Sequence, residues 1–263
     1  MIEKVIRYCW FGGNEKPEIV KKCIESWHKF APDYKIIEYN EDSFDINALK
    51  FTKQAYEAKK WAFVSDVARL EIIYNEGGIY LDTDVELKAP LDDLLKFDAF
   101  FAGDDISNIV NTGLGFGAVK NHPIIKHMHD VYLDLEFNMG MVNTQINSQA
   151  VCDFSDKIKS SGEETQIVDN ICVLSAKDYA EYATHHYDLS WMDEKDRKLS
   201  KKRKSKKWLW KLKCFARQDK FYNYFNKKSG KIRKIYIFLA YDFLDNGFLY
   251  FAKRFFLKLK KSK

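Results

Sequence analysis

Asp82-Thr83-Asp84 is the triplet whose residue types best suit chemistry on a phosphate. Two carboxylates one residue apart, at the close of a strand, can both reach a hard divalent cation, and such a cation neutralises a diphosphate. Alone the triplet means little: 23 aspartates in 263 residues produce about two such spacings by chance, and a solvated turn is the plain alternative. Upstream, Asp66 and Arg69 are three residues apart and so share a helix face, where an ordinary ion pair is worth only about 0.2–0.5 kcal/mol. Downstream, His185-His186 supplies imidazole. In its neutral form that is a suitable third ligand beside carboxylate oxygens, although two exposed loop histidines would look the same.

These residues need a frame. Val5 to Phe11 reads as a first strand ended by Gly12-Gly13, and Pro17 opens a helix whose apolar positions Ile19, Val20, Cys23, Ile24 and Trp27 recur at helical spacing up to Phe30. Tyr34 to Tyr39 is a second strand. A long helical stretch runs from about Leu49 to Asn75, with Ser65 as an N-cap and Gly77-Gly78 as its stop. Ile79 to Leu81 is a short strand leading into the aspartates, and Val85 to Leu87 stays extended until Pro90. Asp98 to Ala102 and Gly113 to Val119 are further strands, Pro123 opens a helix to about Leu133, and Asn170 to Leu174 is a late strand. Residues 136–165 show no clear period, and Tyr182 to Trp191 reads as a loop. Strand, helix, strand in that order is the mark of an α/β fold whose first strand ends at a ligand site.

The surroundings raise the triplet above chance. Ser65-Asp66, Arg69, Gly77-Gly78, Tyr80, Asp82 and Asp84 follow the pattern S-D-x-x-R-x-x-x-L-x-x-x-G-G-x-Y-x-D-x-D, with Ile73 in place of the Leu. Tyr8 to Gly13 (YCWFGG) matches an opening H-x-x-W-x-G-G strand, with Arg7 where the His stands. His185-His186 to Ser190-Trp191 matches a late H-H-x-x-x-S-W segment. Together these resemble glycosyltransferase family 32, the sugar-binding-region transferases that carry a D-x-D motif and are related to the glucosylating bacterial toxins, over roughly residues 4–191. Residues 138–150 depart from the family's G-P-x-x-x-T pattern.

The resemblance implies a GT-A type nucleotide-sugar-binding domain, α/β with a mixed sheet, over residues 1–192. It implies a retaining transfer of a hexose from a nucleotide sugar, a UDP-sugar first and a GDP-sugar second, to a glycan acceptor. Trp10 would stack on the nucleobase, an interaction worth about 1–3 kcal/mol; a core Trp is the alternative. Asp66 and Arg69 would contact the sugar hydroxyls, as acceptor and forked donor. Asp82, Asp84 and His186, preferred to His185, would hold Mn²⁺ or Mg²⁺. Ser190 and Trp191 would meet the diphosphate. Gly78 and Tyr80 belong to the same donor site, Gly78 by close backbone approach and Tyr80 chiefly by packing. Asn111 either presents an amide beneath the sugar or simply turns the chain into its strand.

Charge divides the chain in two. Residues 198–263 hold 22 of the 43 Lys and Arg but 3 of the 38 acids, a net of +19, which leaves −14 on the preceding 197 residues and makes up the +5 of the whole. The same stretch carries 16 of the 41 aromatic residues. Tyr241, Leu244, Phe248, Phe251, Phe255 and Leu259 recur at helical spacing, and Trp208 and Trp210 flank a Lys run. Residues 193–263 are therefore expected to form basic amphipathic helices that seek an anionic membrane surface, at about 1 kcal/mol for each Lys or Arg near it. Nucleic acid fits less well, because the aromatic residues follow a helical stripe and not a strand platform. A simple solvated linker is the remaining option.

No uncharged apolar run reaches 18 residues and the first residues lack a basic and then apolar leader, so neither a membrane span nor a secretory signal is expected. Five cysteines, an odd number without a C-x-x-C, argue against a disulfide framework or a zinc ribbon and fit a reducing cytosol. A cytoplasmic enzyme on the inner face of the plasma membrane, acting on a lipid-linked oligosaccharide in bacterial capsule or surface-polysaccharide assembly, is the expectation. The competing readings are a membrane-bound polyanion- or glycan-binding module with a degenerate site, and a haloacid-dehalogenase-like phosphatase. The phosphatase motif D-x-D-x-[TV] is broken here by Glu86. Oligomeric state is left open.

Overall fold

The computed structural model of the chain describes residues 1–103, 109–138 and 143–186. By its internal contacts the chain divides into Met1–Trp191 and Met192–Lys263. The helices expected in the second unit, with Ser190 and Trp191 of the first, lie outside the described residues.

The first unit is built on a seven-stranded mixed sheet. Its strands are β1 (Val5–Cys9), β2 (Lys35–Tyr39), β3 (Gly78–Tyr80), β5 (Ala99–Ala102), β6 (Phe116–Ala118), β7 (Gln166–Val168) and β8 (Ile171–Leu174), in the order β2-β1-β3-β6-β5-β8-β7. β1 pairs in parallel with β2 and β3; β6 runs antiparallel to β3 and β5; β8 is parallel to β5. A separate two-stranded sheet joins β4 (Val85–Leu87) to β9 (Ala183–His185). The α/β class and mixed sheet expected from the sequence are what the chain adopts.

Apolar runs such as Ala99-Phe100-Phe101-Ala102 are buried on both faces, as is usual for strands covered on two sides. Ala99 and Phe101, with Ile171 and Val173, face one core under α2 (Lys50–Glu57), α3 (Trp61–Glu76), α4 (Pro123–Asp130) and α5 (Asn143–Phe154). Phe100 and Ala102, with Ile6, Tyr8, Cys172 and Leu174, face the other, which contains Trp27 of α1 (Glu18–Phe30) and Tyr179 of α6 (Ala176–Tyr179). Because α1 and α3 cover opposite faces and β1 lies between β2 and β3, the chain reverses direction at β1. Ligands in open α/β sheets bind beyond the strand ends at such a point.

Four expectations are corrected. The long helix from Leu49 breaks at Ala58–Lys60, where Lys59 takes a φ of 56°; no Gly or Pro announces the break. Ser65 therefore lies inside α3, its hydroxyl bonded to the Trp61 carbonyl, and caps nothing. The segment from residue 143, within the stretch without a clear period, is the helix α5, and β7 is a strand that the sequence reading did not assign. Ala183–His185, within the expected loop, is paired with β4.

One buried cation ties α3 to the sheet. Arg7, 4% exposed, donates from Nε to the Gly77 carbonyl (2.9 Å) and from Nη1 to Glu76 (2.7 Å) and to the Tyr39 hydroxyl. A guanidinium at a helix C-terminus satisfies the last carbonyls and complements the dipole. Arg7, in the place where the family pattern has His, thus holds the helix that carries Asp66 and Arg69 against β1.

Candidate active site

The C-terminal ends of β1 and β3 lie side by side, since Ile6 pairs with Ile79 and Arg7 with Tyr80. Adjacent strands are about 4.8 Å apart, so Trp10, just past β1, and Asp82, just past β3, leave the sheet at one edge. The Trp10 amide bonds the Tyr39 carbonyl, its indole N–H bonds the Asn14 carbonyl (2.7 Å), and the Lys16 ammonium lies 5.7 Å from the ring centre. The indole is half-buried, against the α1 core.

α3 brings up Asp66 and Arg69 from the opposite layer. Arg69 is 2% exposed, and its Nη2 lies 3.1 Å from both Asp66 Oδ1 and Asp82 Oδ1. Its Nε donates to the Ser65 carbonyl (3.0 Å) and its Nη1 to Thr112 Oγ1 (3.3 Å). The Tyr80 ring sits 5.0 Å beneath the guanidinium, and its hydroxyl donates to Asp82 Oδ1 (3.1 Å). Tyr80 is 1% exposed, so it aims Asp82 from below.

The loop before β6 completes the seat of Asp82. The Asp82 amide donates to the Gly113 carbonyl (2.9 Å). A Cβ on Gly113 would lie well inside 3.0 Å of Asp82 Oδ2 and 3.2 Å from Arg69 Nη1. Glycine here leaves the space that the carboxylate occupies. Asn111 shapes this loop: its Oδ1 accepts from the amides of Gly113 (3.0 Å) and Leu114 (3.1 Å). That is a turn-forming bond, so the oxygen of the side-chain amide expected beneath a sugar is taken by the loop.

Beyond Asp82 the chain turns through Asp84 into β4. β9 pairs with β4 in the register Val85 to His185, and His185 Nε2 lies 3.1 Å from Asp84 Oδ1. Asp82, Asp84 and His185 each bring a ligand atom to within 4.8 Å of the others, the one such group among the described residues. This corrects the expectation of His186. Successive residues along a strand point to opposite faces, and His186 bonds Glu86 Oε2 (2.7 Å), which Lys22 also holds (3.0 Å). Gly78 is the other expectation that the structure moves. It opens β3 with a φ of 91°, and a Cβ there would lie 2.9 Å from the Val5 carbonyl. Its role is close packing at the far end of the strand, about 13 Å of extended chain before Asp82.

The donor set suits a divalent ion of the Mn²⁺ or Mg²⁺ kind: two carboxylates and an imidazole. The charge balance agrees. Arg69 faces two carboxylates; burial raises Asp66 to about 6 in spite of it, and raises Asp82 as well, with Asp84 adding to the shift. A site that strains to keep its carboxylates ionised gains from an added cation.

Several site residues were invisible to motif reading. Asn143 of α5 donates to Asp66 Oδ1 (2.5 Å), and Asn147 donates to Thr112 Oγ1 (2.9 Å). Ser148 Oγ accepts from the Val110 amide (3.1 Å). Asn143 and Asn147, four residues apart, lie on one face of α5 with Ser148 at its side, but only the fold says that this part of the helix meets the site.

Residues 17–101 match the family model described as the glycosyltransferase sugar-binding region containing a DXD motif. An inositol phosphoceramide mannosyltransferase of Schizosaccharomyces pombe is 33% identical over 132 residues, which cover 47% of this chain and 35% of that protein. An uncharacterized glycosyltransferase of Acanthamoeba polyphaga mimivirus is 25% identical over 170 residues, 60% of this chain and 65% of that protein. The chain thus spans a third to just under two thirds of these relatives. Among solved structures, the PaToxG glycosyltransferase is similar at a TM-score of 0.46 and 22% identity, over 60% of this chain and 72% of that one. Asp66, Arg69, Asp82 and Asp84, on which the motif resemblance was read, all lie within the matched residues 17–101.

Proposed function

We propose that this chain is a metal-dependent, retaining hexosyltransferase using a nucleotide sugar, because its residues 17–101 match the glycosyltransferase sugar-binding region containing a DXD motif. The observation that carries the reading is the convergence of Asp82, Asp84 and His185 beside the Asp66–Arg69 pair, at the sheet edge where Trp10 emerges. Asp82, Asp84 and His185 are the residues that would hold the ion; when bound, the ion supplies charge neutralisation on the departing diphosphate. Arg69 holds Asp82 and Asp66 in fixed relation, and Asp66 accepts from a sugar hydroxyl. Trp10 offers its ring to the base. The family resemblance implies retention, so the phosphate oxygen that leaves the sugar takes the acceptor's proton and no side chain need act as base.

A UDP-hexose is the first donor to test and a GDP-hexose the second. One relative is named as a mannosyltransferase of inositol phosphoceramide; that name supports a hexose as the group moved and a lipid-bearing acceptor. The +19 charge of residues 198–263 supports an anionic membrane as the place of work, on its cytoplasmic face, with lipid-linked oligosaccharides of surface-polysaccharide assembly as acceptors. The deciding experiment is a screen of UDP- and GDP-hexoses for diphosphate release with and without Mn²⁺. Mn²⁺-dependent release from one donor is the expected result; no release from any donor sinks the proposal. Co-sedimentation of the full chain with phosphatidylserine vesicles tests the membrane placement, and a chain that stays in solution at moderate salt refutes it.

A further inference from the structure

Asp66 is held from two directions, and both donors use the same oxygen. Asn143 Nδ2 lies 2.5 Å, and Arg69 Nη2 3.1 Å, from Oδ1. The side chain is only 11% exposed. A carboxylate oxygen carries about two acceptor sites, so Oδ1 is saturated by these two bonds while Oδ2 keeps its own for a ligand. The plane of the carboxyl group, and hence the direction in which Oδ2 accepts, is set by the pair.

Arg69 alone would not set it. Its Nη2 is shared with Asp82 at the same 3.1 Å, so its pull on Asp66 is divided. Asn143 is the second point that a plane requires, and it comes from a different element. α5 is in turn anchored one turn further along, where Asn147 bonds Thr112, itself the partner of Arg69 Nη1, and where Ser148 bonds both the amide and the carbonyl of Val110. Asn147 is fully buried. The first residue of α5 is therefore fixed by the same loop that seats Asp82.

We propose that Asn143 is a positioning residue for donor-sugar recognition: by fixing Asp66 through Oδ1 it aims Oδ2 at a hydroxyl of the hexose. The assignment rests on the proposed transferase reading. It separates recognition of the sugar from that of the nucleotide diphosphate, which meets other residues. Removal of one hydrogen bond that orients a carboxylate weakens the dependent contact by about tenfold.

The test uses the full chain with Mn²⁺, the most active UDP- or GDP-hexose of the screen, and the matching free diphosphate. Their affinities are measured by calorimetry for the wild type, Asn143→Ala and Asn143→Asp; the second variant keeps the shape of the side chain but sets a carboxylate against Asp66. Donor affinity is expected to fall about tenfold in the alanine variant and further in the aspartate variant, with diphosphate affinity unchanged. Equal losses for donor and diphosphate would make Asn143 merely structural and overturn the assignment, as would no loss for either. A wild type that binds no nucleotide sugar overturns the transferase reading and this assignment together. A wild type that binds, with variants that bind equally well, overturns this assignment alone.

Discussion

Gly113→Ala is the sharpest test of how Asp82 is seated. The residue's φ lies outside the left-handed region, so alanine is no strain on the backbone. What it adds is one methyl group where the Asp82 carboxylate now lies. The new Cβ would stand 3.2 Å from Asp82 Cγ and from Arg69 Nη1, and well inside 3.0 Å of Asp82 Oδ2, where ordinary contact begins at 3.4 Å. The carboxylate must swing by about 1 Å. Displacements of about 1 Å in a catalytic group cost on the order of 10²-fold in rate. The expectation is a loss of that size in Mn²⁺-dependent diphosphate release, with a weakened metal response and little change in Tm. Gly117→Ala is the control. Its Cβ would meet Phe100 Cε1 at 2.6 Å and the Gly78 carbonyl at 2.9 Å, both in the sheet. That variant should lose Tm by several degrees and, where still folded, keep its metal response. A Gly113→Ala enzyme with wild-type turnover at saturating and limiting Mn²⁺ would refute the seating of Asp82 and its part in the site.

Three further outcomes follow from the geometry. His185→Ala should weaken Mn²⁺ activation by about 10-fold or more, whereas His186→Ala, which loses only the Glu86 bond, should leave it near wild type; titration of activity against Mn²⁺ checks both. Asp66 has a folded-state pKa of about 6, above its ordinary 3.8. A raised carboxylate pKa means that its contribution to stability is full below 3.8 and is lost as pH rises to about 6, so metal-free Asp66→Asn should be more stable than wild type at pH 7, by about 3 kcal/mol, and should show no such gain at pH 3.5. For turnover the sign is opposite: donor binding should fall as pH drops through about 6. Arg7→Ala should cost about 3 kcal/mol in urea unfolding, because it strips the carbonyl end of α3 and the Tyr39 hydroxyl of a buried donor. Lysine, with its single compact charge, should not restore it.

Local spacing made part of the site legible. Asp66 and Arg69 had to share a helix face, since three residues are nearly one turn, and Asp82 and Asp84 had to lie close together, since one residue separates them. Buried strands such as β5 were legible from a short, continuous apolar run that a glycine ends, Ala99 to Ala102 before Gly103. The break at Lys59 was not, because no Gly or Pro in the stretch marks it; the Trp61 ring that follows the break packs over Gly12, nearly fifty residues away in the chain, where a Cβ would come within 2.5 Å.

The amino-acid order by itself settled which residue types were present and which neighbours in the chain share a face: the carboxylate pair, the acid and guanidinium one turn apart, and the continuous apolar runs that bury both sides of the sheet. Which histidine joins the aspartates was decided only by tertiary structure, because it depends on the register in which β9 meets β4, and a shift of one residue would exchange His185 for His186. The roles of Asn143, Asn147 and Gly113 were decided there too. Each acts on a residue from another element, 31 or more positions away, and such contacts come from how whole layers pack, which no local period encodes.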